Sequence, residues 1–364
     1  LLTRPDAGIW ILLVGLYQVG AALTARDADG NRTPSVPWQT WLAGAVTIAP
    51  WVGFSWAYFG TPLPNTLGAK SVAYVVPDGL AFISIVQRYA TAFMDFDAFG
   101  SVGAMTGALV YLTLNLVAVA YVRGREPRLL PLLAFPWLYL VIFGAANPLM
   151  FRWYYAPPLP AWIFGIVVGA WALVTAGGKA LDRDESGRAQ RILYPVAGGV
   201  LAVLWLGMML NAWTLTPDHG PGRPAPGMSW HLIELNYRTV GDTLRDEYGV
   251  TPETRVASAD IGAVGYYSEA FIIDTVGLIT PELSAYYPYD DSIRLQEDDP
   301  QNYAVPPALI LDTQPEYFVT MEGFIRLGLL TMPEFTENYT LVETIPMDVY
   351  GAAMQVYARN DVLR

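Results

Sequence analysis

Six runs of apolar residues, at about 8–25, 38–60, 103–122, 129–147, 158–177 and 192–213, dominate the first part of this chain, and none follows Trp213. Each is close to the ~20 residues that a helix needs to cross the hydrocarbon of a bilayer. A backbone in lipid must satisfy its own hydrogen bonds, so such runs become helices. The sequence therefore predicts a polytopic α-helical membrane bundle over 1–214, a Pro- and Gly-rich linker over 215–229, and an aqueous domain over 230–364. The charged fraction agrees: 15% of residues are charged, against about 25% in an average soluble protein. Segment 71–102 is less apolar and holds Arg88, Asp95 and Asp97, so it reads as a loop with a surface-lying helix.

Charge gives the chain a direction. Residues 215–364 carry 23 Asp and Glu against 8 Lys and Arg. An acidic aqueous half lacks the basic face that nucleic acid requires, so no nucleic-acid partner is expected. Two short loops are basic, one with Arg123, Arg125 and Arg128, the other with Lys179, Arg183, Arg188 and Arg191. Such loops stay in the cytoplasm. Two spans separate them, so both can lie inside together. The weaker loop 25–37, with Arg26 and Arg32, then falls inside as well. Loops 61–102 and 148–157 and the whole C-terminal domain fall outside. The expected location is a bacterial cytoplasmic (inner) membrane, multi-pass, with an extracytoplasmic C-terminal domain.

The chain has no cysteine and two histidines, His219 and His231. Thiol catalysis, iron–sulfur clusters and cysteine zinc sites are excluded. The spans hold no Asp, Glu, Lys, Arg or His, which argues against an ion-coupled transporter, since those bury ionisable groups at mid-membrane. Chemistry is expected in the outward loops instead.

Three loops could carry it. GTPLPNTLGAK (60–70) is a proline-stiffened exit from a span, in which Asn65 and Thr66 can cap the next turn. Its Lys70 is either a snorkelling interfacial cation or an anion site for a lipid-linked phosphate. FRWYYAPPLP (151–160) sets Arg152 beside Trp153, Tyr154 and Tyr155. That is either an aromatic belt or a guanidinium fork for phosphate, with faces for a sugar ring or prenyl chain. Ahead of the third span, Asp95 and Asp97 are either solvated acids or a base or metal-ligand pair.

In the aqueous domain, Ile233, Tyr237, Val240, Leu244 and Tyr248 recur at helical spacing, which predicts a helix over 230–248. Strands are expected at 255–259, 271–274, 317–320, 339–345 and 353–359. The alternation predicts an α/β or α+β domain. Asp260 and Asp274 end apolar strands, where open α/β sheets place ligand sites. Asp260 could equally cap a turn. Gly262 and Gly265 do not make the dinucleotide fingerprint. Segment 284–307 reads as an exposed acidic loop, open to calcium but without EF-hand spacing.

Together, LTRPD (2–6), GTPLPNTLGAK and the pair ADIGAVGYYS (259–268) and IIDTVGL (272–278) resemble bacterial GT-C-type membrane glycosyltransferases. The likeness is to the arabinofuranosyl- and mannosyltransferase kind that use polyprenyl-phosphate sugars, and FRWYYAPPLP is similar to their Arg/Tyr/Pro loop. The resemblance implies transfer of a sugar from a polyprenyl-phosphate donor to a glycan, lipid or protein acceptor outside the membrane. A carboxylate would deprotonate the acceptor hydroxyl, and cations would steady the departing phosphate. Carried over, Lys70 and Arg152 would hold the donor phosphate, with Asn65, Tyr154 and Tyr155 nearby, while Asp260, Asp274 and Tyr266 would shape the acceptor side. The family's general-base Asp lies in the first outward loop, and this chain is expected to begin after it. Asp95 and Asp97 are the substitutes within the chain. No cofactor is called for, metal dependence stays open, and membrane lipids are partners. The alternative is a non-catalytic, membrane-anchored envelope protein whose outer domain binds glycan or protein.

Overall fold

The computed structural model describes residues 6–25, 36–74, 76–92, 96–181, 188–212, 228–295, 303–347 and 353–363. The linker expected over 215–229 lies almost wholly outside them. Contacts divide the chain into two compact units, Leu1–Pro62 with Pro77–Trp213, and Leu63–Val76 with Thr214–Arg364.

The first unit is helical. Its helices are α1 (Ala7–Thr24) and α2 (Trp38–Phe59), then, after α3 (Asn65–Ala73) of the second unit, α4 (Leu80–Ala90), α5 (Phe96–Arg123), α6 (Leu130–Ala146), α7 (Arg152–Tyr155), α8 (Leu159–Leu181) and α9 (Arg188–Ala212). Among the described residues five helices are long and apolar enough to cross a membrane: Ala7–Thr24, Trp38–Phe59, Gly100–Arg123, Pro127–Ala146 and Leu159–Ala180. Only a minority of each is buried, and Leu16, Val46, Leu109, Val141 and Val167 are exposed. Apolar residues all round a helix are what lipid contact demands. The sixth expected span is the helix α9, whose apolar stretch Arg191–Leu204 is shorter.

Local chemistry sets the helix ends. Gly60 (φ 74°) and Asn147 (φ 43°) stop α2 and α6 in the left-handed conformation that glycine and asparagine tolerate. Gly100 (φ 59°) breaks α5 near its start. The helix expected within 71–102 is α4, which buries Ala81, Ile85, Tyr89 and Ala90 against α5 and α6. Asn147 fixes its start: Ala81 N donates to Asn147 Oδ1 (3.0 Å), and Asn147 Nδ2 donates to Pro77 O (3.0 Å).

The second unit is a five-stranded mixed sheet with helices on its faces. Along the chain run α10 (Met228–Asp246), β1 (Arg255–Ser258), α11 (Ile261–Ser268), β2 (Phe271–Asp274), α12 (Pro307–Thr313), β3 (Tyr317–Met321), α13 (Pro333–Asn338), β4 (Tyr339–Ile345) and β5 (Met354–Arg359). The order is β2-β1-β3-β5-β4. β1 is parallel to β2 and β3, while β5 is antiparallel to β3 and β4. Side chains alternate across the sheet. Val256, Tyr317, Val319, Val356 and Ala358 pack with Ile233, Tyr237, Val240 and Leu244 of α10. Ala257, Ile273, Phe318 and Tyr357 pack with Leu309, Ile310, Leu329 and Phe335 on the other face.

Two expectations change here. The stretch 284–307 is no mere exposed loop: Tyr287, Tyr303, Ala304 and Val305 are buried. Tyr287 Oη donates to Thr275 O (2.6 Å), and Tyr303 Oη donates to Thr275 Oγ1 (2.8 Å), so burial of these rings overrides the local acidity. The loop after α2 also leaves the first unit, because Ala73 is wholly buried in the core of the second.

Candidate functional site

Parallel pairing aligns β1 and β2 so that Ser258 and Asp274 face one another at the carboxyl ends of their strands. The chain then turns through Asp260 into α11. Asp260 holds the cap position without capping, since its side chain accepts no N–H from the first turn. Its Oδ2 accepts a hydrogen bond from Tyr237 Oη of α10 (3.1 Å) instead, and Ser258 Oγ donates to the Asp260 backbone carbonyl (3.3 Å). A directed hydroxyl from another helix outcompetes the helix's own amides. Burial raises the Asp260 carboxyl, Tyr237 pulls it back, and Glu234 and Asp274 add repulsion.

Asp274 is fully buried. Its Oδ1 accepts from Val276 N (3.0 Å) and its Oδ2 from Ile279 N (2.9 Å). Burial raises this carboxyl in spite of those amides. Both oxygens thus organise the loop that follows β2, where Gly277 has φ 84°. Tyr266 is 77% exposed on α11, with its ring beside Tyr267 at 5.1 Å.

The helix α3 brings residues from the membrane-exit loop to this unit. It packs on the Pro281–Tyr286 3₁₀ turn, buries Ala69 and Ala73, and sets Ala69 Cβ 3.9 Å from where a side chain on Gly277 would begin. Tyr74 follows with its ring 5.9 Å from that of Tyr303. Pro64, not Asn65 or Thr66, occupies the cap in extended conformation (φ −60°, ψ 132°), and Asn65 is the first helical residue. Lys70 is half-buried, and desolvation lowers its pKa. Asn65, Lys70, Asp260, Asp274 and Tyr266 therefore belong to one folded unit.

Arg152, Tyr154 and Tyr155 belong to the other unit, on α7. Tyr139 Oη of α6 donates to the Tyr154 carbonyl (2.6 Å). The Tyr154 ring lies 5.9 Å from Phe143 and 6.0 Å from Phe151. The Arg88 guanidinium of α4 stands 5.6 Å from the centre of the Tyr155 ring, a cation–π contact that sequence reasoning missed. The Arg152 side chain and Asp95 lie outside the described residues. Asp97 lies on the helical backbone of α5, and its side chain is likewise outside them. No group of three or more His, Asp or Glu that could hold a metal occurs among the described residues.

The other residue missed is Asn115, wholly buried in α5. Its Nδ2 donates to Tyr111 O (3.0 Å) and to Trp162 O of α8 (3.4 Å). Its Oδ1 has no conventional donor among the described residues and occupies the space where Gly165 would carry a Cβ, at 1.9 Å. The carbonyl of Leu114 fills the same space at Gly169, again at 1.9 Å. Gly165 and Gly169 form the GxxxG spacing that lets two membrane helices touch backbone to backbone, with Cα–H groups facing oxygen. The spacing is visible in the sequence; its partner is not.

Residues 230–361 match a family model described as "Domain of unknown function (DUF8728)". The match begins within α10 and excludes α3. No curated protein and no solved structure matches the chain.

Proposed function

We propose that this protein transfers a sugar from a polyprenyl-phosphate donor to a cell-envelope glycan, lipid or protein acceptor at the outer face of a bacterial inner membrane. One observation carries the reading: α3, which bears Asn65 and Lys70 and follows directly on α2, is part of the core of the C-terminal unit. A cation from the membrane boundary and the acceptor-side residues are thereby built into one folded body.

Chain topology supports the sidedness. The chain joins the C-terminal unit once after α2 and again after α9. Between those points α5, α6 and α8 are long enough to cross. The 11 residues of α4 rise only about 16 Å, too little for a core about 30 Å thick. An even number of crossings requires α9, whose 25 residues reach about 37 Å. Six crossings result, with the arginine-bearing 123–128 turn on the opposite side from the C-terminal unit, as basic loops prefer.

In the proposed reaction a carboxylate takes the acceptor hydroxyl proton, the oxygen attacks the anomeric carbon, and the carbon–oxygen bond to phosphate breaks. The polyprenyl phosphate leaves with the bonding pair. Lys70 and Arg152 would stabilise its charge, with Asp95 and Asp97 the candidate substitutes for the base within this chain. The test is binding of a polyprenyl-phosphate sugar to the purified protein, compared with Lys70→Ala and Arg152→Ala. Saturable binding weakened in both variants is expected. Undiminished binding in both overturns the donor site. Absence of binding by the folded wild type favours an anchored envelope protein whose outer domain binds glycan or protein.

A further inference from the structure

At the arginine-bearing end of the first unit, a cavity of about 400 Å³ opens between α1 and the start of α6. One face of α1 lines it with Trp10, Val14, Tyr17 and Gln18, and the opposite wall carries Arg128 and Leu132. The positions on α1 recur at helical spacing, so the cavity is a groove about 12 Å long beside that helix. It is graded in polarity. Trp10, 37% exposed, marks the apolar end, with its ring 5.4 Å from that of Phe135. Arg128, Tyr17 and Gln18 stand at the other end. Gln18 Oε1 accepts from Trp41 Nε1 of α2 (2.6 Å), which leaves its amide N–H₂ as a donor. Arg128 is exposed and makes no ion pair among the described residues, although Glu126 is two positions away.

We infer that this groove binds one anionic glycerophospholipid of the surrounding bilayer. Arg128, the Gln18 amide and the Tyr17 hydroxyl would hold the phosphodiester, and an acyl chain would lie along Val14, Leu132 and Trp10. Both walls belong to helices apolar enough to cross a membrane, so lipid is the solvent that meets the groove. The polar end gathers a guanidinium, an amide N–H₂ and a phenolic hydroxyl, all able to donate, a set that suits a phosphate. The apolar length beyond it selects a molecule with a chain over a free anion. Basic pockets between membrane helices take anionic headgroups for the same reason, and a guanidinium fork fits phosphate oxygens.

The test uses the full chain, exchanged from nanodiscs containing equal phosphatidylglycerol and phosphatidylcholine into mild detergent, with retained lipid counted by native mass spectrometry. The wild type is expected to retain phosphatidylglycerol over phosphatidylcholine, with the preference falling about fivefold in Arg128→Gln, the effect of one cation near a lipid surface. Val14→Trp, which fills the groove and leaves the charge, is expected to lose the retained lipid while keeping the thermal unfolding midpoint. Arg191→Gln removes an exposed arginine outside the groove and is expected to change nothing. An equal loss in Arg191→Gln would mean general attraction to a basic surface and would overturn the site. So would displacement of the lipid by soluble glycerol phosphate, or stronger retention of polyprenyl phosphate than of phosphatidylglycerol.

Discussion

Asp260 shows how a partner in space redirects a residue whose position in the chain suggests something simpler. It stands where a helix cap should, yet Tyr237 of α10 takes its carboxylate. Tyr237→Phe is expected to cost about 1.5–3 kcal/mol, the range for a hydrogen bond to a charged group, read as a lower midpoint of thermal unfolding. It is also expected to push the Asp260 carboxyl further up, since Tyr237 is what restrains it. The pH dependence has a definite sign. A carboxyl raised in the folded state binds its proton more tightly there than in the unfolded chain. Its favourable contribution is present below the ordinary carboxylate range and declines as pH rises through the raised folded value. Asp260→Asn removes that slope, so the variant should gain stability relative to the wild type as pH rises from the ordinary carboxylate value, about 4, through the raised folded value. An unchanged difference across that range would show that Asp260 ionises as it does in the unfolded chain.

At the scale of elements, the contact of α5 with α8 rests on two glycines that meet different kinds of atom. A methyl at Gly165 would strike the Asn115 side chain, while a methyl at Gly169 would strike the Leu114 backbone. Overpacking of this kind costs about 1–3 kcal/mol. Gly165→Ala should therefore be rescued by Asn115→Ala, which empties the colliding space. Gly169→Ala should not be rescued by any change at Leu114, because the carbonyl stays. Thermal unfolding of the single and double variants in detergent checks the asymmetry. Equal rescue at both sites would mean that the helices separate freely, and that the glycines do not set their spacing.

For the molecule as a whole, the helix from the membrane-exit loop and the sheet stand or fall together. Ala73 is wholly buried, in the same core cluster as Leu283, Tyr303 and Leu309. Ala73→Arg should therefore expose residues 228–363 to protease, although the substitution lies more than 150 positions away. Protection like that of the wild type would show that the sheet unit folds without α3. The chain has no native cysteine, so single cysteines report topology cleanly. In right-side-out vesicles, Thr66→Cys and Tyr266→Cys should both react with a membrane-impermeant thiol reagent, while Arg125→Cys should react only after the membrane is opened. Labelling of Thr66→Cys and Tyr266→Cys from opposite sides would refute six crossings.

What was legible in the sequence depends on neighbours along the chain. Hydropathy located the helices α1, α2, α5, α6, α8 and α9, because membrane insertion is decided over about 20 consecutive residues. Short apolar runs located all five strands, two with the same limits as in the structure, because a strand buried on both faces reads as a continuous apolar run. The helix start at Asn65 and the burial of Tyr287 and Tyr303 were not legible in this way. Nor were the union of α3 with the sheet, the Tyr237–Asp260 bond, the fit of Asn115 against Gly165, or the groove that unites Arg128 with α1. Each joins segments far apart in sequence or turns on which groups a side chain meets in the fold. Such contacts are chosen by shape and by hydrogen bonds that must be satisfied in low dielectric, and a linear pattern carries no record of them. The sequence by itself thus determined the kinds of element and the membrane character, and the tertiary structure alone decided which residues share a site.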